Sequence, residues 1–340
     1  MRRRRSGGTI SAGAPRPDGR RSTRTGRRAN AVRASSSRNG QLAALATVAL
    51  WCPSFALIKH LVDAGLAAQD IAAGRFVVAW PGFLYLLWRA RGLPGLTRGE
   101  ALRILLASAG GVTAYHLALN EGERTTASGA AALIVALAPA ATLALALAVG
   151  LERFAPRRIA GIALAFAGVV VVVVLGSGSH VSLHGLRGPL LVLVAPLTFA
   201  VYNVLYKPLL GRFDLPALTA AGGFAGSLMF LPFENAGALD RFGALDLGGW
   251  VSLIALGLGA TLGGYVTWSI ALRGLEPSRA MSYLYYVPPL AVVIGALGLG
   301  ETVTPWLLLG GALVIGGVAV AQRQPPRTGS LPGSPLQPHR

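Results

Sequence analysis

Residues 131–175 read AALIVALAPAATLALALAVGLERFAPRRIAGIALAFAGVVVVVVL, two apolar runs whose charges, Glu152, Arg153, Arg157 and Arg158, all sit in the turn between them. A bilayer core takes about 20 mostly apolar residues per helix, somewhat fewer where polar flanks reach back to the interface. The runs are continuous rather than alternating every second residue. That favours helices, which satisfy their own backbones in lipid, over the strands of a barrel.

The same pattern returns later in the chain. Pro139, Glu152, Pro156, Gly161 and Gly168 recur as Pro288, Glu301, Pro305, Gly310 and Gly317, each 149 residues on. Trp51 to Lys59 matches Phe199 to Lys207 at an offset of 148. Working outward from these anchors, ten apolar runs fall at 42–58, 71–88, 104–119, 127–151, 159–175, 189–206, 215–233, 247–272, 280–300 and 305–321. The chain divides into a basic tail at 1–40, a first repeat at 41–175, a Gly/Ser/His linker at 176–186, a second repeat at 187–321 and a tail at 322–340. Each repeat holds five helices, an odd number, so the second must lie upside down. The expected fold is an all-α integral membrane protein with ten transmembrane helices in two inverted five-helix repeats. Inverted repeats recur in secondary transporters because two near-equivalent packings can open alternately to either face. A channel can hold them too.

Composition points the same way. Of 340 residues, 53% are hydrophobic and only 13% charged, where soluble domains carry roughly a quarter. The net charge of +18 is concentrated in the first 40 residues, which hold 12 of the 31 Lys and Arg and one acid, Asp18. That tail is rich in Arg, Ser and Gly and has no aromatic residue, which speaks against a nucleic-acid module and reads as disorder. Connections of odd number carry 4 Lys or Arg and those of even number 11. The positive-inside rule therefore places the even connections and both tails in the cytoplasm, and the linker outside. The single cysteine, Cys52, lies inside an apolar run and forms no intrachain disulfide.

With these residues in view, the chain resembles the drug/metabolite transporter superfamily, in its ten-helix branch of two EamA-type repeats. The likeness covers 41–321 and rests on Trp51 through Lys59, Arg75, Ala79, the stretch Thr126 to Ala130, Pro139 and Glu152, with Ser278 to Ala280, Pro288 and Glu301 in the second half. Cys52-Pro53 follows the helix-1 tryptophan where members usually have a glycine or another small residue. The resemblance implies alternating-access movement of small metabolites, often outward, amino acids or related compounds among them, without a dedicated cofactor. A channel, or an integral membrane enzyme, is the alternative.

Arg75 is the outstanding charge within a span, about 9 Å along its helix from the external end. Such a charge either faces a polar cavity, where its planar fork would hold a carboxylate or phosphate, or snorkels to the interface. Trp51, Tyr202, Asn203, Tyr265, Tyr285 and Tyr286 form a second substrate-binding set at mid-depth, since ring faces with hydroxyl handles suit mixed solutes. Packing explains them as well, and Trp268 fits an interfacial belt. Pro139 and Pro288 each free a backbone carbonyl and kink their helices. His180 and His184 are four apart in the linker with no cysteine or carboxylate beside them, so no metal site is expected. The chain has no GxxxxGK[ST], HExxH or GxSxG, so neither nucleotide-driven pumping nor these hydrolytic chemistries are expected. No Asp or Glu lies inside the ten apolar runs as a ready proton carrier.

Two pairs are candidate gates. Inversion puts Lys59 and Glu301 at the external face and Lys207 and Glu152 at the cytoplasmic one, where alternating ion pairs would close opposite mouths; snorkelling lysines and helix-bounding glutamates are the plainer alternative. The expected partners are membrane lipid and a small-molecule substrate, with no nucleic acid.

Overall fold

The computed structural model describes residues 38–151, 154–175, 183–275 and 283–322. Both expected tails for the most part, Glu152, His180 and most of the linker lie outside the described residues. The spans are α1 Arg38–Asp63, α2 Ala68–Arg89, α3 Arg98–Glu123, α4 Ser128–Ala148, α5 Pro156–Leu175, α6 Leu186–Leu209, α7 Leu215–Phe233, α8 Leu247–Gly274, α9 Leu284–Leu299 and α10 Pro305–Gln322. Among the described residues nine are long and apolar enough to cross a bilayer, and α9 is a shorter apolar helix. Among the described residues there is no strand.

The helices are broken where the sequence removes a hydrogen bond. α1 is interrupted at Cys52-Pro53 and resumes as Ser54–Asp63. Ahead of Pro139, α4 splits into Ser128–Val135 and Ala138–Ala148, and ahead of Pro288 α9 opens with a tight turn, Leu284–Tyr286. A proline donates no amide and pushes away the carbonyl of the preceding turn, so both repeat-related breaks have one cause. Two further irregularities are also repeat-related: α3 widens to a π-helix over Ala109–Ala114, and α8 does so over Ala255–Gly263. A π segment turns carbonyls out of the regular ladder and is frequent at functional sites.

The repeat is also visible in how α5 packs on α10. A Cβ on Gly168 would come within 2.6 Å of Val314 N and 2.7 Å of Gly310 O, and one on Gly310 within 2.9 Å of Gly168 O. Gly161 and Gly317 face each other in the same manner, each closed against the other's carbonyl oxygen at 2.7 Å. Gly161 and Gly168 are the repeat mates of Gly310 and Gly317, so the contact set maps onto itself when the halves are exchanged. That is the signature of a two-fold relation, and small residues let the two backbones approach without an intervening side chain.

Candidate functional site

The interior of the bundle is lined by an unbroken succession of rings that crosses from one repeat to the other. Trp51 of α1 meets Tyr265 of α8 edge-on at 6.4 Å, Tyr265 stacks on Phe83 of α2 at 6.4 Å, and Phe83 leads to Phe76 at 6.3 Å. Phe76 meets His116 of α3 at 5.0 Å, its neighbour Tyr115 meets Phe199 of α6 at 5.9 Å, and Phe199 stacks on Tyr202 at 5.5 Å. The π segments fix both ends of this belt. Trp51 Nε1 donates to Ala260 O at 2.9 Å within the α8 widening. In the other half Tyr202 lies against Gly111 in the α3 widening, where a Cβ would come within 2.5 Å of the ring.

Arg75 projects from α2 into this interior and is 6% exposed. Its Nε donates to Thr261 Oγ1 at 2.8 Å, again in the α8 π segment. Gly257 makes the approach possible, because a Cβ there would stand 2.8 Å from Arg75 O. The terminal nitrogens Nη1 and Nη2 make no hydrogen bond among the described residues. Tyr115, Tyr265 and Glu123 share the guanidinium's electrostatic surroundings. A buried cation whose fork is half used can accept a planar anion in two-point contact.

The remaining sequence candidates fall apart spatially. Asn203 donates to Thr142 Oγ1 of α4 at 3.1 Å, and Tyr202 stacks on Tyr206 at 4.2 Å, so both belong to the α6 side of the belt. Tyr285 bonds Gln322 at the end of α10, and Tyr286 is 59% exposed on the outer surface. The structure thus does not bring Tyr285 and Tyr286 to Arg75. Trp268 is half-buried and packs against Trp51 at 5.9 Å. His116 Nδ1 is tied to Val112 O at 2.7 Å. Among the described residues no group of His, Cys, Asp and Glu could hold a metal.

At the face that the sequence assigns to the exterior, Lys59 and Glu301 have other partners than each other. Lys59 Nζ donates to Glu123 O and Arg124 O at 3.3 Å each and pairs with Asp63 at 3.6 Å. Glu301 accepts from Ser128 N at 2.6 Å, Ser128 Oγ at 2.9 Å and Gly129 N at 3.1 Å, capping the start of α4. Glu152, the expected partner of Lys207, lies outside the described residues, and Lys207 has an interaction of its own.

Two buried carboxylates escaped the sequence reading. Asp70, fully buried in the first turn of α2, accepts from Arg241 Nε at 2.5 Å and Nη2 at 2.8 Å while also capping Ala67 N at 2.8 Å. Glu234 stands beside this pair. Its burial and the Asp70 carboxylate push it up to about 7. The second is Glu123, the last residue of α3. It is fully buried, and among the described residues neither Oε1 nor Oε2 has a hydrogen-bond partner; the Oδ1 of Asn120, one turn earlier, has none either. The apolar run ends at 119, so Asn120 and Glu123 fall outside the expected span; their spacing of three, one face of a helix, is the available signal.

Comparison with known proteins gives this geometry a family. The profile of the EamA-like transporter family matches twice, over residues 38–174 and 186–322. A probable terminal-alkyne amino-acid exporter of Streptantibioticus cattleyicolor is 33% identical over 291 residues, covering 82% of this chain and 91% of the relative. An uncharacterized transporter of Archaeoglobus fulgidus is 31% identical, covering 82% and 96%. A probable amino-acid metabolite efflux pump of Salmonella typhimurium is 28% identical, covering 84% and 95%. One solved crystal structure superposes with a TM-score of 0.58 at 20% identity, over 84% of this chain and 97% of that one, which supports the fold alone. With two matched repeats spanning ten helices, the chain belongs to the EamA-like transporter family and is a multi-pass membrane transporter.

Proposed function

We propose that the chain exports amino acids or close derivatives across the cell membrane by alternating access, with both termini in the cytoplasm. The observation that carries this reading is Arg75, a guanidinium 6% exposed in the bundle interior and bonded, among the described residues, through Nε alone. An intramembrane charge left with open donors marks a substrate path, and a carboxylate is the group its fork matches. The names of the relatives in Streptantibioticus cattleyicolor and Salmonella typhimurium support amino-acid chemistry and outward movement. The excess of Lys and Arg in the even connections supports the orientation, and the two-fold packing of α5 on α10 supplies a pair of near-equivalent arrangements between which a carrier can rock. Lipid and substrate are the partners this requires.

The test is counterflow. Purified protein in vesicles loaded with a mixed pool of amino acids should show saturable, self-exchanging flux by mass spectrometry. Arg75→Ala should abolish it while the protein stays folded in the bilayer, and Arg75→Lys should restore only part, because a point charge replaces a two-point fork. Flux that does not saturate would mean a channel, and normal counterflow in Arg75→Ala would refute the role of the guanidinium.

A further inference from the structure

Glu123 and Asn120 present a problem that the fold alone does not solve. A buried polar atom without a partner costs about 1 to 3 kcal/mol, more when charged, and three such acceptor atoms stand within one helical turn: Asn120 Oδ1, Glu123 Oε1 and Glu123 Oε2. Asn120 is held in place, since its Nδ2 donates to Ala68 O of α2 at 3.0 Å, so its oxygen is not free to turn away. Among the described residues, none of the two cations and the acid that act on Glu123 bonds its carboxylate. Lys59 Nζ reaches the backbone oxygens of Glu123 and Arg124, Glu301 is taken up by the start of α4, and Arg75 is bonded to Thr261. Lys59, Arg75 and Glu301 all act electrostatically on Glu123, and the Asn120 bond ties this end of α3 to α2, the helix that carries Arg75.

We propose that this is a binding site for a zwitterion, in which Arg75 takes the α-carboxylate and Glu123 with Asn120 Oδ1 takes the α-ammonium group. The two sets of unmet bonds are opposite in kind. An ammonium brings three donors and no acceptor, a carboxylate only acceptors, so one ligand carrying both satisfies both. A monoacid or a simple amine would leave one set buried and unpaired, and that penalty is the source of selectivity. The inference rests on the reading of Arg75 as substrate anchor but adds a second anchor on a different helix.

The experiment compares three probes with the same side chains in reconstituted vesicles: α-amino acids, the α-hydroxy acids that replace ammonium by hydroxyl, and the amino-acid amides that remove the carboxylate charge. The unmodified protein should move the amino acids about tenfold or more faster than either analogue. Glu123→Gln should lower amino-acid flux about tenfold and α-hydroxy acid flux far less, because the ammonium loses a counter-charge whereas the hydroxyl can still donate to the amide oxygen. Glu123→Asp, which keeps the charge, should recover part of the amino-acid flux. The site is refuted if Glu123→Gln moves amino acids normally, if it lowers both probes alike, or if neither Glu123 variant enters the bilayer as a folded protein, since Glu123 would then be structural. Unmodified protein that moves none of the three would instead refute the amino-acid reading itself.

Discussion

Glu301→Ala should destabilise the protein by about 1.5 to 4 kcal/mol, far more than its position in an exposed-looking turn suggests. α4 begins at Ser128 after Ala127, a residue with no side-chain acceptor, so its first amides have no local cap. Glu301 supplies one from the other repeat, across 173 residues, with bonds to Ser128 N and Oγ and to Gly129 N. Losing an N-cap costs about 0.5 to 2 kcal/mol, and the charge-assisted bonds and the favourable end of the helix dipole add about 1 to 2 kcal/mol. Glu301→Gln, which keeps one acceptor oxygen but not the charge, should cost about half as much. Lys59→Ala should cost about 1 kcal/mol, since its pair with Asp63 is solvated and its bonds to the Glu123 and Arg124 carbonyls are long, at 3.3 Å. Denaturant titrations in bicelles, followed by near-ultraviolet circular dichroism, measure all three and the Lys59/Glu301 double variant. The double variant should be additive within about 0.5 kcal/mol, because the side chains do not pair. A coupling above about 1 kcal/mol would mean that they do, and Glu301→Ala within about 0.5 kcal/mol of the unmodified protein would show that the cap carries no weight.

Two further perturbations follow from the geometry. Glu234 has a folded-state pKa of about 7 against an ordinary 4.5, so the folded protein binds its proton more tightly than the unfolded chain; the resulting stability is complete below about pH 4.5 and lost as pH rises through 7. Thermal unfolding temperatures should therefore fall from about pH 5 to pH 8, and Glu234→Gln should flatten that slope; an unchanged slope refutes the assignment. Gly168→Ala should cost about 1 to 3 kcal/mol because the new Cβ meets the backbone of α10, and its mate Gly317→Ala should cost a similar amount. Gly316→Ala on the open side of α10, where nothing lies within 4 Å, should be neutral or stabilising, and equal effects at all three positions would refute the two-fold packing.

What the sequence revealed and what it hid have physical causes. Apolar runs are local and their period is imposed by the bilayer, so the ten helices could be placed to within a few residues. Pro139 and Pro288 act on their own turns, and the helix breaks ahead of them could be anticipated. Gly161, Gly168, Gly310 and Gly317 carried the repeat because a glycine at a close crossing cannot be exchanged for a larger residue. Long-range pairing has no such local mark. Asp70 meets Arg241 across 171 residues, and nothing in either neighbourhood names the other. The partner of Glu301 depends on Gly300, whose φ of +67° turns the chain back after α9 and aims the carboxylate at α4 instead of at Lys59. Glu123 was missed because charges end an apolar run, although the helix continues through them.

The symmetry of the scaffold also explains why the charge sits where it does. Thr113 and Thr261 are repeat mates at an offset of 148, each in or beside a π segment and each facing the neighbouring helix. In the first half, Thr113 Oγ1 donates to Gly226 O of α7 at 2.8 Å, a bond between hydroxyl and backbone that holds two helices together. In the second, Thr261 Oγ1 accepts from Arg75 of α2 instead. The positions of α7 that correspond to Arg75, 148 and 149 residues on, are Gly223 and Phe224, neither of which can donate from a side chain. Two copies of one architecture therefore offer the same hydroxyl, and only one of them spends it on a cation. Motion between two states requires the halves to be alike, since each must be able to take the other's packing. A cation in one half alone is a difference that the symmetry does not require, and the substrate anchor proposed above would make use of it.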